Sequence, residues 1–180
     1  MARHVAFLRG INVGGHRVKM DDLRASFEAL GFRDVSTFIA SGNVVFDGGR
    51  GAAATLERRI TRHLERELGY GVPTFLRTFT ELSAIAEVPP FETEEVAHPD
   101  WSLLVMFLSE APSPAARRRL TALENERDTF RFAGREVYWL TRGRMSESPL
   151  FAGDLARATA DLPHTMRSIK TVRKLLARYT

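Results

Sequence analysis

The order in which short β-rich runs and helical stripes alternate over the first eighty residues or so constrains this chain more than any other feature. His4 to Leu8 is apolar on both sides, with Val5 and Phe7 on one and Ala6 and Leu8 on the other, the pattern of a central strand covered on both faces. A glycine-rich turn follows. Leu23, Phe27 and Leu30 then fall at i, i+4 and i+7 on a helix that Asp21 or Asp22 can cap and Gly31 ends. Val35 to Ala40 and Asn43 to Phe46, separated by Ser41-Gly42, read as the two strands of a hairpin. Residues 52–68 carry the strongest helical signal, a stripe of Leu56, Ile60, Leu64 and Leu68 with Gly69 as its stop. Val72 to Phe79 supplies a fourth strand. The order β-α-β-β-α-β is the ferredoxin-like arrangement, in which two helices cover one face of a four-stranded antiparallel sheet.

The remainder repeats much of this plan. After a short helix around Leu82 to Ala86, the prolines of Val88-Pro89-Pro90 and the acidic run to Pro99-Asp100 read as a linker. Trp101 to Leu108 is a buried-type strand, and Ser113-Pro114 opens a helix as cap and first residue. Thr129–Phe132 and Glu136–Thr141, joined at Ala133-Gly134, form a second hairpin. Two helices close the chain, one after Ser148-Pro149 and one from about Ser168 to Arg178. The expected fold is therefore α+β, with two ferredoxin-like (βαββαβ-type) subdomains, each on an antiparallel sheet, packed together. Residues 1–88 form the first and residues 101–180 the second, which ends in a basic amphipathic helix; residues 89–100 are the acidic, proline-containing linker.

At 180 residues, folding can bury about 70% of the unfolded surface, so a core needs neither metal nor disulfide. The absence of cysteine removes thiol nucleophiles and thiolate metal sites and fits a reducing compartment. Nothing near the N-terminus has the length or cleavage pattern of a signal peptide, and no apolar run approaches a membrane span, so a cytoplasmic, non-membrane protein is expected. The net charge of +4 is unevenly spread. Residues 1–77 carry 12 Lys/Arg against 8 Asp/Glu, residues 78–112 none against 7, and residues 113–180 carry 14 against 7. The acidic middle can neutralise the basic C-terminal part within the fold, or the basic part can present an anion-binding face.

The most distinctive run is Arg9-Gly10-Ile11-Asn12-Val13-Gly14-Gly15-His16, between the first strand and the first helix. Its glycines permit positive φ and expose backbone N–H groups, which with Arg9 and Asn12 could cradle an anion; equally, they could make only a tight turn. A phosphate-binding loop of the triphosphatase type is excluded, because His16 and Arg17 stand where Lys and Ser/Thr are required. Ser41-Gly42-Asn43 should lie beside this loop in a ferredoxin-like sheet, although hairpin-turn chemistry alone accounts for those residues. Ser41 has no nucleophile-elbow context. The five histidines show no His-x-x-x-His spacing, so no metal and no cofactor are expected. The stacking aromatics of an RNA-recognition sheet are missing: Ala6, Ser41 and Asn43 occupy those positions and only Phe46 is in register. A basic face remains on the last helix, where Arg167, Lys170, Lys174 and Arg178 line one side and Ile169, Val172, Leu176 and Tyr179 the other.

FLRGINVGG at residues 7–15, Met20 and Leu23, STFIASGNVVF at residues 36–46 and TMRSIKTVRKL at residues 165–175 resemble the family known as domain of unknown function 1697. The resemblance implies a small bacterial-type protein with ferredoxin-like subdomains and no established activity. The last motif departs from the family, which usually shows Arg-Asn-Trp where this chain has Arg167-Ser168-Ile169.

The leading expectation is a binding protein whose site, at the subdomain junction, combines Arg9, Gly10, Asn12, Gly14 and Gly15 with Ser41, Asn43 and Arg167 to hold a small anionic or nucleotide-like ligand. The alternatives are an enzyme acting on a phosphorylated or carboxylated metabolite with His16 as general base, and a nucleic-acid or protein interaction module using the basic C-terminal helix. Whether the chain is an enzyme is left open by its sequence, as is its oligomeric state.

Overall fold

A computed structural model describes residues 2–39, 42–49, 51–87 and 89–180. The fold is α+β and contains two four-stranded antiparallel sheets. The chain divides into two compact units, Met1–Ser83 and Ala84–Thr180.

In the first unit, β1 (Arg3–Leu8), α1 (Met20–Ala29), β2 (Arg33–Thr37), β3 (Asn43–Asp47), α2 (Ala53–Leu68) and β4 (Thr74–Thr78) follow in the expected order. The sheet runs β2-β3-β1-β4, the ferredoxin-like order. β1 is central, and Val5, Ala6, Phe7 and Leu8 are all buried, as a strand apolar on both faces requires. Ala6, Leu8, Val44, Phe46 and Leu76 turn to the helices and pack with Leu23 and Phe27 of α1 and Leu56, Ile60 and Leu64 of α2. Each of these aliphatic side chains contributes roughly 1.5–3 kcal/mol on burial. Val5, Phe7, Val45 and Phe75, which alternate with those residues, are buried as well. α2 ends as its sequence predicts, with Gly69 in the left-handed conformation and its N–H on the Glu65 carbonyl at 2.9 Å. The start of α1 differs from expectation. Lys19 is the N-cap residue, and Asp21 and Asp22 lie inside the first turn, where their charge favours the helix dipole without a cap bond.

α3 (Phe79–Glu87) carries the chain out of the first unit. The stretch expected to be a linker contains α4 (Thr93–Ala97), a five-residue helix closed by a capping box between Glu92 and Glu95. β5 (Ser102–Leu108), α5 (Pro114–Thr121), β6 (Asp128–Ala133) and β7 (Glu136–Thr141) match the second βαββ series, with Ser113 accepting from the Ala116 N–H as N-cap of α5. Two short 3-10 turns then lead into α6 (Asp154–Ala158).

The next element corrects the sequence reading. His164–Ser168 is a strand, β8, which completes the second sheet in the order β6-β7-β5-β8, and α7 begins only at Ile169 and runs to Tyr179. Arg167 is therefore a strand residue and not part of the basic helix face. The departure from Arg-Asn-Trp acquires a physical meaning here. Ser168 is the N-cap of α7, accepting from the Thr171 N–H at 3.1 Å, and Ile169 is buried. The core of this unit joins Leu104, Met106, Leu108, Phe130, Val137 and Trp139 to Leu120 of α5 and Leu155 of α6.

Two carboxylates of the acidic middle segment have assigned partners, one of them in the basic C-terminal part. Glu95 pairs with Arg142 at 3.0 Å, and Glu81 accepts from the Thr78 N–H and hydroxyl at 2.8 and 3.0 Å. Among the described residues no helix is long and apolar enough to cross a membrane.

Candidate functional site

The connection from Arg9 to Lys19 lies at the C-terminal end of β1 and is held from three sides. From β1 itself, the Leu8 N–H donates to the Gly42 carbonyl at 2.8 Å and the Arg9 N–H to the Pro73 carbonyl at 2.9 Å. From the segment after α2, the Tyr70 hydroxyl donates to the Ile11 carbonyl at 2.8 Å, while the Tyr70 ring stacks on His16 with centroids 3.8 Å apart. Burial pushes the Tyr70 phenol above its ordinary value, so it remains a donor at neutral pH. From within, the Asn12 Oδ1 accepts the Val18 N–H at 2.8 Å and closes the loop on itself.

The glycines divide between two jobs. Gly10, Gly14 and Gly15 all have positive φ, and a side chain at Gly14 or Gly15 would meet nothing. Gly42 is different: at φ +75° its missing Cβ would stand 2.8 Å from Ile11 Cγ2 and 3.1 Å from Leu8 Cβ. It is there because the loop presses against it.

The expected site residues therefore have distinct fates. Arg9, Asn12, Gly14 and Gly15 are exposed on one loop with Gly10, and Arg17 joins them. Among the described residues, neither the Arg9 nor the Arg17 guanidinium has a hydrogen-bond or ion-pair partner. Asn43 is 1% exposed and bonds the Phe38 carbonyl through Nδ2 at 2.9 Å, while its own carbonyl accepts the Phe38 N–H at 2.9 Å. These two bonds tie Phe38, just after β2, to the start of β3. Ser41 lies outside the described residues. Arg167 belongs to the second unit, on β8 opposite Val105, where its Nη1 donates to the Thr165 hydroxyl and the Met166 carbonyl, both at 2.8 Å. Desolvation lowers its pKa to about 10.

His16 makes no side-chain hydrogen bond among the described residues, and one face of its ring is occupied by Tyr70. Phe46, the one aromatic in register for base stacking, is buried against Phe27 and Phe32 at 5.5 and 4.3 Å on the helix-packed side of its sheet. Among the described residues no group of three or more His, Asp or Glu side chains is placed to hold a metal. Tyr70, which organises the loop, carries no sequence signal, because it follows the helix-ending Gly69 outside any periodic pattern.

What the loop can do chemically follows from these contacts. Its backbone is tied down, and its two exposed guanidinium groups, Arg9 and Arg17, have no carboxylate partner among the described residues.

Over nearly its whole length the chain is similar in fold to the conserved bacterial protein SP0830 from Streptococcus pneumoniae, with a TM-score of 0.74 at 21% identity, covering 99% of this chain and 98% of that one. No curated protein matches it. Residues 1–138 match the family described as "Protein of unknown function (DUF1697)", and the chain belongs to that family.

Proposed function

We propose that the first unit binds a small anionic ligand, carrying phosphate or carboxylate, on the Arg9–Lys19 connection. Arg9 and Arg17 supply the charge, Gly10, Gly14 and Gly15 the accessible backbone, and Asn12 and Tyr70 the rigidity that keeps the loop open before the ligand arrives. The observation that carries this reading is the pairing of a fastened loop with two exposed guanidinium groups that lack a carboxylate partner among the described residues. Guanidinium forks match the geometry of carboxylate and phosphate oxygens, and the charge-assisted bonds they form are about twice as strong as neutral ones. A cytoplasmic setting suits a chain without cysteine.

Thermal-shift measurements with inorganic phosphate, pyrophosphate, nucleotides and dicarboxylates test the proposal. A ligand at a hundredfold over its Kd adds about 2.7 kcal/mol, a rise of about 5–10 °C at this size. The rise should vanish in Arg9→Ala and weaken in Arg17→Ala. A panel in which no anion shifts the wild type, or in which Arg9→Ala responds as fully as the wild type, would sink the reading.

A further inference from the structure

We propose that the arginine face of α2 binds the phosphate backbone of nucleic acid without reading its bases. α2 buries Leu56, Ile60 and Leu64 in the first unit's core, and on its opposite face Thr55, Arg58, Arg59, Arg62, Glu65 and Arg66 border an open groove of about 790 Å³. Arg58, Arg62 and Arg66 stand at i, i+4 and i+8, one column with steps of about 6 Å and a span of about 12 Å.

Among the described residues none of these three guanidinium groups has a hydrogen-bond or ion-pair partner. Arg59 is the anchored member of the set: its Nη2 donates to the Leu30 carbonyl at 2.7 Å and its guanidinium lies over the Phe32 ring at 5.6 Å. The column is locally unfavourable. Like charges at i, i+4 destabilise a helix, and here two such pairs run in series on a helix with no acidic residue in its first turn. Only Glu65 offsets them on that face. A ligand that brings its own row of negative charges removes the repulsion.

The chemistry of the face selects the occupant. A helix that embeds in a bilayer surface does so with an apolar stripe, and the apolar stripe of α2 is already in the core. A protein partner would be held by buried aromatic or aliphatic anchors, and this face offers none. An evenly charged polymer of phosphodiesters needs neither, and arginine forks suit its oxygens. α2 has no Asn or Gln, the side chains that read adenine edges, and Phe46, the sheet's one candidate stacking ring, is buried, which leaves the arginine column to meet phosphate oxygens, the commonest partners of such side chains on nucleic acid. The basic side of α7 is a poorer candidate, because Arg173 is drawn onto the Ala86 carbonyl at 3.1 and 3.3 Å and Arg178 lies over Tyr179.

Fluorescence polarisation with a labelled duplex oligonucleotide of mixed sequence, titrated between 50 and 200 mM salt, tests the proposal. Three to four phosphate contacts predict a loss of affinity of about 40- to 150-fold across that range. The triple variant R58E/R62E/R66E should lose at least about tenfold at 50 mM salt and most of its salt dependence. R58Q/R62Q/R66Q should show a smaller loss, with its melting temperature near or above the wild-type value, since its like-charge pairs are gone. K170E/K174E/R178E should bind as the wild type does. The proposal is overturned if the wild type does not bind the duplex, if R58E/R62E/R66E binds unchanged, if the loss appears in the α7 variant instead, or if vesicles of anionic lipid bind where oligonucleotides do not.

Discussion

Arg77 and Arg167 occupy the same register position in two sheets of the same strand order. Arg77 on β4 stands opposite Val5 of β1, and Arg167 on β8 stands opposite Val105 of β5. Each donates from Nη1 to the carbonyl of the residue before it, Leu76 at 2.6 Å and Met166 at 2.8 Å. In both sheets the arginine alternates with a residue of the helix-packed core, Leu76 in one and Met166 in the other. The two halves of the chain share no residue-level repeat, so the duplication survives in pairing and side-chain direction, where the fold imposes it.

Arg167 gives the first prediction. Its guanidinium releases a proton at about 10 in the folded chain, well below its ordinary value, because burial disfavours the charged form. Between those values the unfolded chain binds more protons, so this group adds stability as pH rises through the window and opposes folding below it. In Arg167→Lys the same burial acts on an ammonium whose ordinary value is about 10.4, and moves the window below that value. Urea midpoints at pH 7, 8.5 and 10 should therefore rise in the variant relative to the wild type. At pH 7 the variant should be about 1–3 kcal/mol less stable, having lost the fork that serves Thr165 and Met166.

The glycine loop gives the second. Gly42→Ala forces a Cβ to within 2.8 Å of Ile11 Cγ2 at a backbone of φ +75°, whereas Gly14→Ala places its Cβ in open space at φ +63°. Gly14→Ala should cost about 1–2 kcal/mol from backbone conformation alone, and Gly42→Ala should cost more, since contact with Ile11 and Leu8 adds to that strain. Chemical denaturation of the two variants checks the order. Equal losses would mean that Gly42 and Ile11 are not pressed together.

The same contacts explain which parts of the fold a reader of the sequence could reach. β1 and α2 were legible because their patterns are long and one-sided: four apolar residues in a row, and a stripe at i+4 ended by glycine. β8 was not, since in His-Thr-Met-Arg-Ser only the methionine is apolar and the cap of α7 follows at once. α4 was hidden among prolines, its five residues closed by a capping box too short to show periodicity. In the candidate site, the glycines announced a loop, but the work of Asn12, Asn43 and Tyr70 lies in hydrogen bonds to residues up to 59 positions away, which no local pattern records. The arginine column of α2 was within reach, being the i+4 complement of the stripe that defined the helix.

His4 gives a prediction for acid stability. It is 8% exposed, stacks on Phe46 at 5.5 Å, and its Nδ1 is buried without a hydrogen-bond partner among the described residues. Burial holds its pKa below the ordinary value despite backbone contacts that act the other way. The unfolded chain therefore takes up a proton first as pH falls through about 6.5, and stability drops below that point. His4→Phe keeps the stack and removes the titration. The gap between its urea midpoints at pH 7.5 and pH 5 should be narrower than that of the wild type.

Asp128 gives the last. Fully buried at the start of β6, its carboxylate accepts the Trp139 indole N–H on Oδ1 at 2.8 Å, and on Oδ2 the Ser148 hydroxyl at 2.9 Å and the Asn125 amide at 3.3 Å. One side chain thereby ties β6 to β7 and to the turn that precedes α6. Asp128→Ala strands the indole and the hydroxyl in the core, each at about 1–3 kcal/mol, and should lower stability by about 3 kcal/mol or more. Trp139→Phe removes one donor and keeps much of the ring, so its loss should be smaller. In the double variant no indole remains to be stranded, and the two losses should add to less than their sum by about 0.5–3 kcal/mol in a urea-denaturation cycle. Strict additivity would show that the carboxylate and the indole do not act on each other and that Asp128 holds the second unit through Ser148 and Asn125 alone.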